Sequence, residues 1–175
     1  MAVTAVVVAV LALLFTVASF WWLYARRGSL EVGQPGAYAF AGRVRLRFPL
    51  ALYNNGATAL VVTDLRAAPV AAPACPPYRW LATISHLRPD EDNERDFPTP
   101  FSVPGRGTRE VVAEFEGAWC PVPGSRHRLR LDVKLLPGDD WTSAGEFEWW
   151  APMPEAELRA YIAHRNVPAA EQPAH

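Results

Sequence analysis

The chain has 175 residues with 17 basic and 18 acidic side chains, a formal net charge of −1, and all of these charges lie at or after Arg26. One domain is expected at this length, an apolar half argues against disorder, and the near-neutral balance gives no electrostatic case for nucleic acid. Two cysteines exclude a disulfide-rich scaffold.

The charge-free head comes first. Ala2 to Tyr24 is an uninterrupted apolar run. As a helix it would span roughly 34 Å, enough for a hydrocarbon layer of about 30 Å. A helix also satisfies its own backbone hydrogen bonds in lipid. Trp21, Trp22 and Tyr24 fall at its end, where amphipathic rings favour the headgroup layer, and Arg26 and Arg27 stop it. These five residues are the expected membrane-interface set. A secretory signal would need a basic start and a small-residue cleavage site, and neither is present. The expectation is a single-pass anchor contacting lipid through residues 2–24. The arginine pair favours a cytoplasmic body by the positive-inside rule. A bridge between Cys75 and Cys120 would argue for an oxidising compartment instead.

Residues 26–36 read as a linker, and 37–151 as one β-domain. Val44, Leu46, Phe48, Leu50 and Leu52 alternate with Arg43, Arg45, Arg47, Pro49 and Ala51, the pattern of a half-buried strand. Pro49 lacks an N–H and suggests an edge or a bulge. Asn54-Asn55-Gly56 suits a tight hairpin turn onto Ala59 to Arg66. Further strands are expected over Arg79 to Ile84, Thr108 to Phe115, His127 to Leu136 and Trp141 to Trp150, separated by Pro and Gly clusters. With Ala37 to Ala41 this makes about seven strands, an immunoglobulin-like antiparallel β-sandwich. Trp149 and Trp150 point to opposite faces of their strand, so burial of both requires an outer cover. A C-terminal helix over 152–168 is expected to supply it. Pro154 fits the helix start, Glu155 and Glu157 the positive end, and His164 and Arg165 the negative end. Residues 169–175 read as a disordered tail.

An aromatic-ended anchor with its Arg pair, a strand closing on Leu-Tyr-Asn-Asn-Gly, a Pro-Gly-rich middle loop and a Trp-rich last strand resemble small bacterial single-pass membrane proteins with an immunoglobulin-like sandwich and no assigned activity. The resemblance covers most of the chain. It implies architecture and carries over no functional residue.

No catalytic, cofactor or metal residue is assigned. Cys75 and Cys120 lie beside prolines in loops, and a bridge between them is the expected alternative to two free thiols. His86, His127, His164 and His175 are scattered, and with the cysteines they lack the close ligand pairs of a zinc site. Asp90, Asp92 and Glu94 have the opening spacing of a calcium loop. Arg95 stands where its glycine should be, however, and Phe101 where its last acid should be. Gly105-Arg106-Gly107 reads as a turn fragment. Arg43, Arg45 and Arg47 form a stripe facing either anionic lipid or strand partners such as Asp64. The function expected is a non-enzymatic, membrane-anchored module that binds another protein or serves structurally, with no cofactor. The alternative is a membrane-tethered enzyme or a small-ligand or metal-binding domain with a loop-built site.

Overall fold

The computed structural model describes residues 2–41, 45–72, 74–87, 95–118, 122, 124–151 and 162–166. The apolar head is helix α1, Ala2–Phe20, continued by a wider π-helical turn over Trp21–Ala25. No residue of either is buried. Together they make one helix long and apolar enough to cross a membrane.

The body is antiparallel β throughout, with eleven strands among the described residues: β1 Leu30–Val32, β2 Ala37–Ala41, β3 Arg45–Asn54, β4 Leu60–Pro69, β5 Tyr78–Ile84, β6 Arg95–Asp96, β7 Phe101–Val103, β8 Thr108–Glu116, β9 Arg126–Leu135, β10 Trp141–Trp150 and β11 Ile162–Arg165. Their order is β10-β9-β4-β5-β8-β3-β2-β11, with β1 beside β3, β6 beside β5 and β7 beside β4. Strands β4 and β5 join over only two residue pairs, Arg66 with Arg79 and Ala67 with Tyr78. The sheet folds at that corner into two layers. One is built on β10, β9 and β4, the other on β5, β8, β3, β2 and β11.

Alternation places the core between the layers. Leu46, Phe48, Leu50 and Leu52 of β3 point inward, as do Val111, Ala113 and Phe115 of β8 and Leu129, Leu131 and Val133 of β9. Phe48 is the hub: its ring lies 5.1 Å from Phe147, 6.0 Å from Trp149 and 6.3 Å from both Tyr38 and Phe115. The contacts with Phe147 and Trp149 are edge-to-face, an arrangement that adds to the burial of apolar area. At the open side, Gln34 receives a hydrogen bond from the Glu148 N–H (2.8 Å) and donates one to its carbonyl (2.7 Å). Asn166 accepts from the Trp150 N–H and donates to the carbonyls of Glu148 and Pro35. Two side-chain amides thus do for the edge of β10 what a neighbouring strand would do.

Several expectations change. The Asn-Gly turn is not a hairpin: β3 pairs with β8, β2 and β1, and β4 with β9, β7 and β5. The loop after Asn54 instead crosses from one layer to the other. The stretch read as a linker contains β1, because Leu30 is buried in the core and Leu30 to Val32 pair with Asn54 to Leu52. Pro49 does sit at an opening. β2 pairs with β3 over Arg45 to Arg47 and β1 pairs with it over Leu52 to Asn54, so the missing N–H falls between them. The expected C-terminal helix is corrected over Ile162–Arg165, which add to β2 as a strand. An open strand edge offers a full set of backbone partners, which outweighs the weak helix signal there. Residues 152–161 and 167–168 of that helix and the tail lie outside the described residues, as do Asp90, Asp92 and Glu94. Trp149 is fully buried in the core, while Trp150 on the other face is half-buried.

Candidate functional site at the helix–body collar

Three segments distant in sequence meet where the apolar helix enters the body. The first is the helix exit, Arg26 to Glu31. The second is the β3–β4 loop, Asn54 to Thr58. The third is the β7–β8 turn, Pro104 to Gly107. The π turn prepares the site. The Arg26 N–H bonds to the Trp21 carbonyl at 2.9 Å, one residue further back than in an α-helix. The Trp22 carbonyl thereby loses its usual donor. Arg106 supplies one from the body, Nη2 to Trp22 O at 2.7 Å. A cation at the carbonyl end of a helix is electrostatically favourable, and it satisfies an oxygen that lipid cannot.

Backbone contacts lock the remaining pieces. Ala57 N–H donates to the Arg26 carbonyl at 2.8 Å, and Arg106 N–H to the Gly56 carbonyl at 2.8 Å. Asn55 holds Ser29 from both sides: its N–H bonds to the Ser29 carbonyl (3.2 Å), and its Oδ1 accepts from the Ser29 N–H (2.9 Å). The Asn55 amide also donates to Ser29 Oγ and to Glu31 Oε1, each at 3.0 Å. Asn54 is fully buried. It accepts from Gly56 N–H (2.9 Å) and donates to the carbonyls of Thr58 (2.9 Å) and Val103 (3.3 Å). Gly28 and Gly56 pass so closely that a Cβ on either would collide with the backbone of the other. Glycine is required here for proximity, and the Asn-Gly pair serves this packing rather than a two-residue turn.

Of the expected interface residues, Trp21, Trp22 and Tyr24 are exposed at the helix end, with the Tyr24 ring tilted against Phe20 at 5.0 Å. Arg26 lies over the Trp22 ring at 4.2 Å, a cation–π distance, and Arg27 is exposed. Sequence reasoning missed Arg106. A turn fragment 84 residues from its partner carries no local sign of the contact.

The other candidates fall elsewhere. Cys75 is disulfide-bonded, in the β4–β5 connection at the end of the body opposite the collar. Cys120 lies outside the described residues. Arg45 and Arg47 are not a lipid stripe. Arg45 faces Glu116 at 3.6 Å, and Arg47 is buried against the buried Glu114 at 2.8 Å. Asp64 accepts from the backbone of Leu65. On the outer face of the other layer, Arg126 pairs with Glu148, Arg128 with Glu146, and both Arg66 and Arg130 with Asp132. Asp132 hydrogen-bonded to Arg130 raises that guanidinium above its ordinary pKa. Trp141 lies under Arg66 at 4.3 Å.

His86 is exposed. His127 Nε2 lies 3.0 Å from the Val122 carbonyl. Among the described residues neither histidine has a carboxylate in hydrogen-bond reach, and no group of three His, Cys, Asp or Glu is placed to hold a metal. An open groove of about 510 Å³ lies beside the Pro49 opening, bordered by Gln34, Thr83, Ser85, Arg109 and Glu110.

No family model matches the chain. No curated protein matches it either. Among solved structures it is similar to an uncharacterised β-sandwich protein from Clostridium difficile 630, at 11% identity over 70% of this chain and 83% of the other, with a TM-score of 0.31. That likeness is too distant to carry a residue or an activity.

Proposed function

We propose that the chain is a single-pass membrane protein whose non-enzymatic sandwich binds another protein or serves as a structural module of a bacterial membrane, anchored in lipid through residues 2–24. The observation that supports this most is the collar. A tethered enzyme that searches for substrate is served by a loose linker, whereas a platform that presents a surface at fixed height is served by a rigid joint. Here the helix exit is bonded into the body within two residues of Arg26. The bonded Cys75 further supports a body on the oxidising side of the membrane. The bridge outweighs the charge bias of Arg26 and Arg27, because it belongs to the folded body itself.

Fractionation and labelling test both parts. The full chain should stay in the membrane pellet at alkaline pH, and a chain lacking residues 1–25 should be soluble. Reduction of intact cells followed by a membrane-impermeant maleimide should label Cys75. Alkaline release of the full chain would remove the anchor. Labelling only after lysis would put the body in the cytoplasm.

The alternative, a loop-built ligand or enzyme site, is supported by the groove beside Pro49. It predicts a small molecule that protects Arg109 or Ser85 from chemical modification. Without such protection the groove is surface relief.

A further inference from the structure

We propose that Arg26 and Arg106, converging on Trp22, form a seat for the phosphate of an anionic phospholipid headgroup. The inference rests on the membrane reading above and adds a lipid preference to it. The two guanidinium groups approach the same residue, Arg26 over the ring at 4.2 Å and Arg106 at the carbonyl oxygen at 2.7 Å. Two like charges gathered at one residue repel unless an anion lies between or beside them.

Along β3, β4 and β9 the body supplies that anion itself. Arg45, Arg47, Arg66, Arg126, Arg128, Arg130 and Lys134 each have a carboxylate within ion-pair distance. Among the described residues, Arg26 and Arg106 have none. The first acid in the chain is Glu31, and it is engaged by Asn55. With none among the described residues, the anion is assigned to the surroundings, at the level of an aromatic belt. There the bilayer offers phosphate at high local concentration. A guanidinium has five donors, and Arg106 spends one on Trp22, so its fork remains able to grip a phosphate oxygen. A pair of arginines after a membrane helix is common by itself. The distinctive element here is the third cation, delivered from the body by a turn held on Gly56.

The test uses the full chain purified in mild detergent, with phosphatidylglycerol and phosphatidylcholine added in equal amounts, and reads the lipid retained by native mass spectrometry. The wild type should retain phosphatidylglycerol preferentially. R106Q should cut that preference roughly five-fold, the worth of one interfacial arginine. R106K should keep most of it. R26Q, which leaves the body untouched, should lower it to a similar degree, so a folding defect in R106Q cannot hide the answer.

Excess inorganic phosphate should not displace the lipid, because the headgroup is held also by its chains in the detergent belt. Equal retention of both lipids by the wild type overturns the proposal, and so does an unchanged preference in both R106Q and R26Q. Displacement by inorganic phosphate would instead make the site a free-anion site and contradict the lipid assignment. Failure of the membrane reading looks different: the chain would then leave the membrane at alkaline pH, whatever lipid it retains.

Discussion

The two ends of the sandwich are fastened by different means. At the end that carries the apolar helix, three chain segments are held by backbone hydrogen bonds, two asparagine side chains and a glycine–glycine contact. The connections of the opposite end are rich in proline and free of charge over residues 67–78 and 117–124, and one of them carries a bonded cysteine. Backbone bonding fixes both distance and angle, which a joint to a helix needs. A covalent staple restrains loops with few partners, mainly by limiting the unfolded chain, and leaves their local angles looser. The contrast teaches that the body is built to be positioned at one end and to be durable at the other.

The largest expected effect sets the scale from between the ends. Glu114→Gln leaves Arg47 buried without its carboxylate and should cost about 3–5 kcal/mol. Thermal unfolding would show it, and a change within error would mean the pair is hydrated. Next, Cys75→Ser should cost about 2–4 kcal/mol and make stability insensitive to reductant. Hydrogen exchange should quicken over residues 70–77 while Ala57 and Arg106, bonded in the collar, stay protected. Loss of protection at both ends would erase the distinction drawn between them.

Asn54→Ala is the reciprocal change. It strips partners from Gly56, Thr58 and Val103 and should cost about 2 kcal/mol, with exchange rising only at the collar. The smallest effect on stability is Arg106→Gln, about 1 kcal/mol from one charged hydrogen bond and a helix-end interaction. Its main effect should be greater freedom of the helix relative to the body.

The two ends also differ in how far the sequence disclosed them. The apolar helix is legible in its unbroken composition, and the inner faces of β3 and β9 because Leu46 to Leu52 and Leu129 to Val133 alternate strictly. The sequence leaves bridged and free thiols both open, since spacing alone does not pair thiols.

The collar was misread. Asn54-Asn55-Gly56 matches a hairpin signal locally, and only tertiary pairing shows that β3 and β4 part company there. Leu30 to Val32 is too short to display a period, so β1 was absorbed into a linker. Ile162–Arg165 follows residues with helix-end chemistry, and its strand state depends on the open edge of β2, which no local pattern reveals. Arg106 contributes through a contact with a residue 84 positions away, beyond any window of sequence.

The collar should make helix and body one rigid unit. Spin labels on a keto amino acid at Ala5 in the helix and Thr142 on β10 would leave the cysteines untouched and report their separation by pulsed electron resonance in lipid nanodiscs. The collar predicts one narrow distance distribution for the wild type and a broad one when a Gly-Ser linker is inserted after Ala25. A wild-type distribution as broad as that of the inserted chain would contradict it.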